Sequence, residues 1–195
     1  MPSGLKLDGD IAVDTEAMGL NNKRDRLCVV QISDGNGDAH LVQFEQGKYS
    51  APNLIKLLSD ESRTKIFHFA RFDLSIMHHY LDLSLRNVYC TRTASRLVRT
   101  YSDKHGYKDI CKELLGVDVS KQQQSSYWGG KTLSNEQIDY AASDVLYLHK
   151  LRAKLDEMLL REGRSELAKE IFNFLPHRAE LDLAGWENED IFAHS

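Results

Sequence analysis

The chain has 195 residues, 25 Lys+Arg against 29 Asp+Glu for a formal net charge of −4, and 42% hydrophobic residues. That length accommodates one domain with a sizeable core, and the composition is that of an ordinary globular protein. It excludes a disordered or low-complexity chain, a disulfide scaffold, and a binder that relies on overall positive charge to hold nucleic acid.

From the N-terminus, Met-Pro-Ser-Gly-Leu-Lys lacks the apolar stretch of a secretory leader, and no apolar run reaches the ~20 residues that span a bilayer. A cytoplasmic protein with no membrane partner is expected. Residues 11–16 read as a first strand entering two acids. Residues 27–33 (LCVVQIS) are β-rich and end at Asp34-Gly35-Asn36-Gly37, a turn signal, with 39–44 as the return strand. These three predict an antiparallel meander.

Helices and strands then alternate. A short helix is predicted over 52–59, with Pro near its first turn, then a buried strand at 65–69 and a helix over 71–81. A brief strand at 87–90 precedes helices at 93–100 and 107–115. Residues 117–131 are polar and irregular. Ser134 with Gln137 forms a capping box that opens the longest predicted helix, running to about residue 162, and a last helix covers 165–174. Pro176 begins an acidic tail, so the expected organisation is a domain at 1–175 and a tail at 176–195 that docks on that core or on a neighbouring subunit. A meander followed by α/β units implies a mixed sheet with helices on its faces.

Charge is unevenly placed. Residues 176–195 carry five acids and one base, which accounts for the whole net charge, whereas residues 90–131 carry eight bases and four acids. Arg92, Arg96 and Arg99 recur at helical spacing, predicting a basic stripe that is either a solvated face or the path for an anionic partner. Cys28, Cys90 and Cys111 are odd in number and lack zinc or redox spacing, so they read as structural thiols.

Five residues carry candidate chemistry. Asp14 and Glu16, two apart on a strand, project from one face, and like charges so placed repel unless a cation lies between them. Asp73 sits where a strand passes into a helix. Tyr140 and Asp144 are one turn apart on one helix face. Taken singly, each also reads as a solvated acid, a helix cap or a surface pair.

Together, in this order and on these elements, they resemble the DEDDy exonucleases and in particular the ribonuclease D branch. The segments DTEAMGL, RLCVVQIS, FHFARFDLSIM and LSNEQIDYAASDVLYL carry the resemblance over about residues 8–160. It implies an α/β RNase H-like (DnaQ-like exonuclease) fold, a mixed five-stranded sheet flanked by helices. It also implies two divalent cations, Mg²⁺ or Mn²⁺, and four hard oxygen ligands without a Cys/His cluster suit these better than zinc.

By resemblance, Asp14 bridges both cations, Glu16 and Asp144 hold the one nearest the attacking water, and Asp73 acts through the water shell of the other. Tyr140 orients or deprotonates that water. Met18 and Leu20 follow the acidic pair, where relatives place an apolar wedge between bases; Leu20 reads as that wedge or as core packing. His68 is either a substrate contact or a satisfied core histidine, and Phe72 and Tyr127 are possible stacking residues.

Residues 120–128 (SKQQQSSYW) align with the ribonuclease D loop that usually reads DKSEQRSDW. Lys121, Gln124 and Trp128 match as substrate contacts, while Ser125 and Tyr127 replace the usual Arg and Asp.

Typical ribonuclease D carries two further helical domains for which 195 residues leave no room, so the chain looks closer to the single-domain nano-RNase C group. That implies cleavage of short single-stranded RNA, dinucleotides included, to nucleoside 5′-monophosphates from the 3′ end. A homo-oligomeric ring of eight subunits is implied as well, and Trp186, Ile191 and Phe192 in the tail read as interaction anchors. Two alternatives stay open: a broader exonuclease acting on structured RNA or DNA, and a non-catalytic nucleic-acid-binding module.

Overall fold

The computed structural model describes residues 1–2, 4–120 and 122–194. Its centre is a five-stranded sheet in the order β3-β2-β1-β4-β5. Strands β1 (Ile11–Ala17), β2 (Leu27–Ser33) and β3 (His40–Gln43) form the antiparallel meander, and β4 (Lys65–Phe67) and β5 (Val88–Cys90) add in parallel to the other side of β1. The sheet is therefore mixed. Every residue of β2 is buried, the apolar Leu27–Val30 and Ile32 together with the polar Gln31 and Ser33.

Among the described residues the helices are α1 (Pro52–Leu58), α2 (Ala70–Leu81), α3 (Thr91–Val98), α4 (Tyr107–Leu115), α5 (Asn135–Leu146), α6 (Leu148–Arg161) and α7 (Ser165–Leu181), with a π-helical turn at Asp182–Trp186 after α7. Helix α5 packs on β1 and β2, whereas α6 packs on α3 and β4. One core runs through most of the molecule, and a smaller cluster of Cys28, Val29, Trp128 and Ala141 lies beside α5. The three cysteines are buried free thiols. Among the described residues, no helix is long and apolar enough to cross a membrane.

Two helix expectations are corrected. The single helix over 134–162 is divided at Tyr147 (φ −106°, ψ −3°), since its two halves bury their apolar faces against different partners. The capping box at Ser134 and Gln137 is formed. The last helix, expected to end at 174, continues through Pro176 to Leu181. An interior proline removes one backbone hydrogen bond and costs about 3 kcal/mol. Burial of Phe172, Pro176 and Ala179 offsets that loss, and so does the anchoring of buried Asp182 by Arg71 at 2.5 Å and Arg178 at 2.9 Å.

Candidate active site

Strand β1 lies at the middle of the sheet and runs parallel to β4, so the carboxyl ends of both open on the same side. Crevices at such strand ends are where α/β sheets bind ligands. Asp14 and Glu16 occupy that end of β1, and the pairing with β2 slips between Glu16 and Ala17, a local irregularity of the kind found beside active sites. Helix α2 begins three residues after β4 and carries Asp73 in its first turn. Helix α5, lying on β1, presents Tyr140 and Asp144 on one face.

These elements bring Asp14, Glu16 and Asp144 together, each offering an oxygen within 4.8 Å of the others. Asp73 stands alongside, 3% exposed, its Oδ1 accepting a 2.6 Å hydrogen bond from the Thr15 hydroxyl. Burial pushes all four carboxyls up, Glu16 to about 9 and Asp73 and Asp144 to about 7. Asp14 is raised well above the usual carboxylate range by burial and by Asp73, Asp144 and Glu16. Thr15 and Tyr140 partly offset the rise at Asp73 and Asp144 through hydrogen bonds. The repulsion is what a divalent cation relieves, and converging carboxylates are the donors that hard divalent cations take.

The cluster lines a cavity of about 680 Å³ whose walls include Met18, Leu20, His68, Phe69, Phe72, Arg92, Tyr107, Gln124, Trp128 and Tyr140. Of the expected substrate contacts, Leu20 is 88% exposed and Met18 is 39% exposed. Gln124 is exposed, and Lys121 lies outside the described residues. Met18 lies against Gly129, where an added Cβ would fall 2.7 Å from the Met18 sulfur.

Trp128 lines the same cavity but is almost wholly buried. It is 2% exposed, and its ring centroid is 6.1 Å from that of Tyr140, so it supports Tyr140 from within the small cluster. His68 is half-buried with Nδ1 2.9 Å from the Thr91 hydroxyl, which itself donates to the Phe67 carbonyl; the imidazole therefore donates from Nδ1. The basic stripe is corrected. Arg99 is fully buried and ion-paired with Glu113, leaving half-buried Arg92 and exposed Arg96 on that helix.

Several site residues escaped the sequence reading. Gln31, fully buried and directly across the β1–β2 ladder from Asp14, donates from Nε2 to Asp14 Oδ2 at 3.1 Å. Its position within LCVVQIS, a polar residue in a buried apolar run, was the available signal. Thr15 sits between the two acids as the partner of Asp73, a link that spans 58 residues. Tyr107 donates to the Ser143 carbonyl at 2.7 Å, tying α4 to the turn of α5 that ends at Asp144.

Residues 3–160 match the family model described as 3′–5′ exonuclease. Among solved structures, Brucella melitensis NrnC with bound Mg²⁺ is 54% identical, with a TM-score of 0.93 over 99% of this chain and 94% of that one. The same protein bound to pGG is 55% identical, with a TM-score of 0.94 over 99% and 93% of the two chains. A ribonuclease D of Sphingobium indicum is 31% identical over 156 residues, 80% of this chain and 40% of that protein. The chain thus spans about 40% of the length of the curated relatives it matches. The mixed five-stranded sheet flanked by helices is the RNase H-like (DnaQ-like exonuclease) architecture that the resemblance implied.

Proposed function

The chain belongs to the 3′–5′ exonuclease family, and on that premise we propose that it is a two-cation-dependent 3′–5′ exoribonuclease degrading short oligoribonucleotides, dinucleotides included, to nucleoside 5′-monophosphates. The observation that carries this reading is the convergence of Asp14, Glu16 and Asp144 within 4.8 Å, with Tyr140 one turn from Asp144 on α5. The solution of a 55% identical protein bound to pGG supports the short substrate.

Asp14, Glu16 and Asp144 would hold Mg²⁺ or Mn²⁺, with Asp73 acting from beside Thr15. Bound there, such cations would supply charge stabilisation for the attacking and leaving oxygens of an in-line phosphoryl displacement. Gln31 keeps the Asp14 carboxylate in orientation by donating to its Oδ2, and outer partners of this kind set ligand geometry. Tyr140, backed by Trp128, orients the attacking water. A Tyr140→Phe variant is expected to lose about 100-fold or more in kcat while its half-saturating Mg²⁺ concentration stays within twofold. A fall of less than twofold in kcat would remove Tyr140 from this role.

The test of the whole reading is degradation, in Mn²⁺, of 5′-labelled RNAs of two, five and twenty nucleotides beside matched DNA. Preferential loss of the dinucleotide is expected. Equal loss of the twenty-mer overturns the short-substrate reading, and equal loss of DNA overturns the preference for RNA. We further propose assembly into a ring-shaped homo-octamer through the segment after residue 175, where Trp186, Ile191 and Phe192 stay exposed. Light scattering that returns the mass of a single chain would contradict it.

A further inference from the structure

Three described non-glycine residues adopt left-handed backbone: Phe69, Asp82 and Asn87. Asparagine and aspartate tolerate that conformation, whereas a bulky aromatic at φ 70° is a genuine outlier. Phe69 stands at the N-cap of α2, where its side chain makes no capping hydrogen bond. Core packing does not offset the strain either, because the residue is 45% exposed. Asparagine there would relieve the backbone and offer a cap. Strain kept without a structural return is characteristic of functional positions.

The surroundings of the ring indicate what that function is. Phe69 lines the cavity that holds the acidic cluster and also a neighbouring hollow bounded by residues 20–24 and by Asp182, Leu183, Glu187 and Asn188. Leu20 and Phe72 line both spaces as well, so three apolar side chains form the ridge between them. The Arg92 guanidinium carbon lies 4.8 Å from the Phe69 ring centroid, and Arg92 lines the acidic cavity. A guanidinium held over an aromatic face keeps N–H groups available for phosphate.

We infer that Phe69 is a base-stacking platform of the substrate site, held outward by its left-handed backbone, with Arg92 as the phosphate contact fixed beside it. The inference rests on the short-RNA reading and deepens it. Stacking accepts any base because every base has a π-face, so this platform grips short RNAs irrespective of sequence.

The test is Phe69→Asn. Its KM for a short RNA is expected to rise about tenfold, with kcat within twofold of the parent and a melting temperature in EDTA that is unchanged or raised by about 2 °C. Phe69→Tyr keeps KM within twofold. A substrate lacking one base in turn supplies a cycle: the parent loses about tenfold in KM on the abasic position, and Phe69→Asn loses less than twofold. A KM for Phe69→Asn within twofold of the parent overturns the inference. So does a melting temperature lowered by several degrees, which would make the ring a packing element, or an equal abasic penalty in both proteins.

Equilibrium binding of the short RNA with Ca²⁺ in place of Mg²⁺ separates this inference from the nuclease reading. Binding that depends on Phe69 without cleavage defeats only the nuclease reading. Cleavage with binding independent of Phe69 defeats only the platform.

Discussion

Replacing Asp14 with asparagine is expected to lower kcat/KM on a short RNA by about 10³-fold or more and to raise the melting temperature of the cation-free protein. Both effects come from one environment. Asp14 is buried beside three other acids, and burial and those neighbours together push its carboxyl well above the usual range. Asparagine keeps the shape and removes the charge, so the uncompensated repulsion falls while the oxygen that would hold a cation is weakened. Thermal melts in EDTA and steady-state rates in Mn²⁺ measure the two arms. Activity within tenfold of the parent would remove the metal centre from the mechanism. A melting temperature that drops by several degrees would show that the cluster is not strained in the folded state.

Cation-free protein is expected to lose stability as the pH rises from about 4 to about 9. The ordinary values of Asp and Glu are 3.8 and 4.5, while the folded cluster holds Asp73 and Asp144 at about 7 and Glu16 at about 9. Between those limits the folded state retains protons that the unfolded chain has released. Stability from this cluster is therefore fully present below the unfolded values and declines as pH climbs toward the folded ones. A bound cation replaces the missing protons. Mg²⁺ should thus raise the melting temperature by about 5 °C or more near pH 8, and by less than half of that near pH 5. Melts with and without Mg²⁺ at the two pH values decide it. A shift that is the same at both, or larger at the lower pH, sinks the account. In Asp14→Asn the Mg²⁺ shift at the higher pH should shrink markedly, which links this experiment to the first.

The acidic residues were legible because their signal is chemical and local. Asp14 and Glu16 share a face through the two-residue strand period, and Tyr140 and Asp144 through the helical turn, with no need to know what packs where. The alternation of meander, strands and helices follows from the same periodicities and gave the mixed sheet correctly. Other features depend on distant partners. Arg99 looks like a member of an exposed stripe until Glu113 and the Lys104 carbonyl are folded over it. Pro176 looks like a helix stop until burial and the Arg71–Asp182 pair carry the helix past it. Trp128 lies in a polar stretch of sequence, yet it is buried against Tyr140.

The amino-acid sequence by itself thus determined which hard oxygen donors the protein possesses, on which kinds of element they ride, and the family to which that pattern belongs. Only the tertiary structure decided that Gln31 faces Asp14, that Thr15 holds Asp73, and that Phe69, in left-handed backbone, lines the cavity. The physical reason is one of range. Residue chemistry and periodicity act over a few positions, but burial, strand register and backbone strain are set by groups tens of residues away, and they turn four acids in a line of text into one charged cluster.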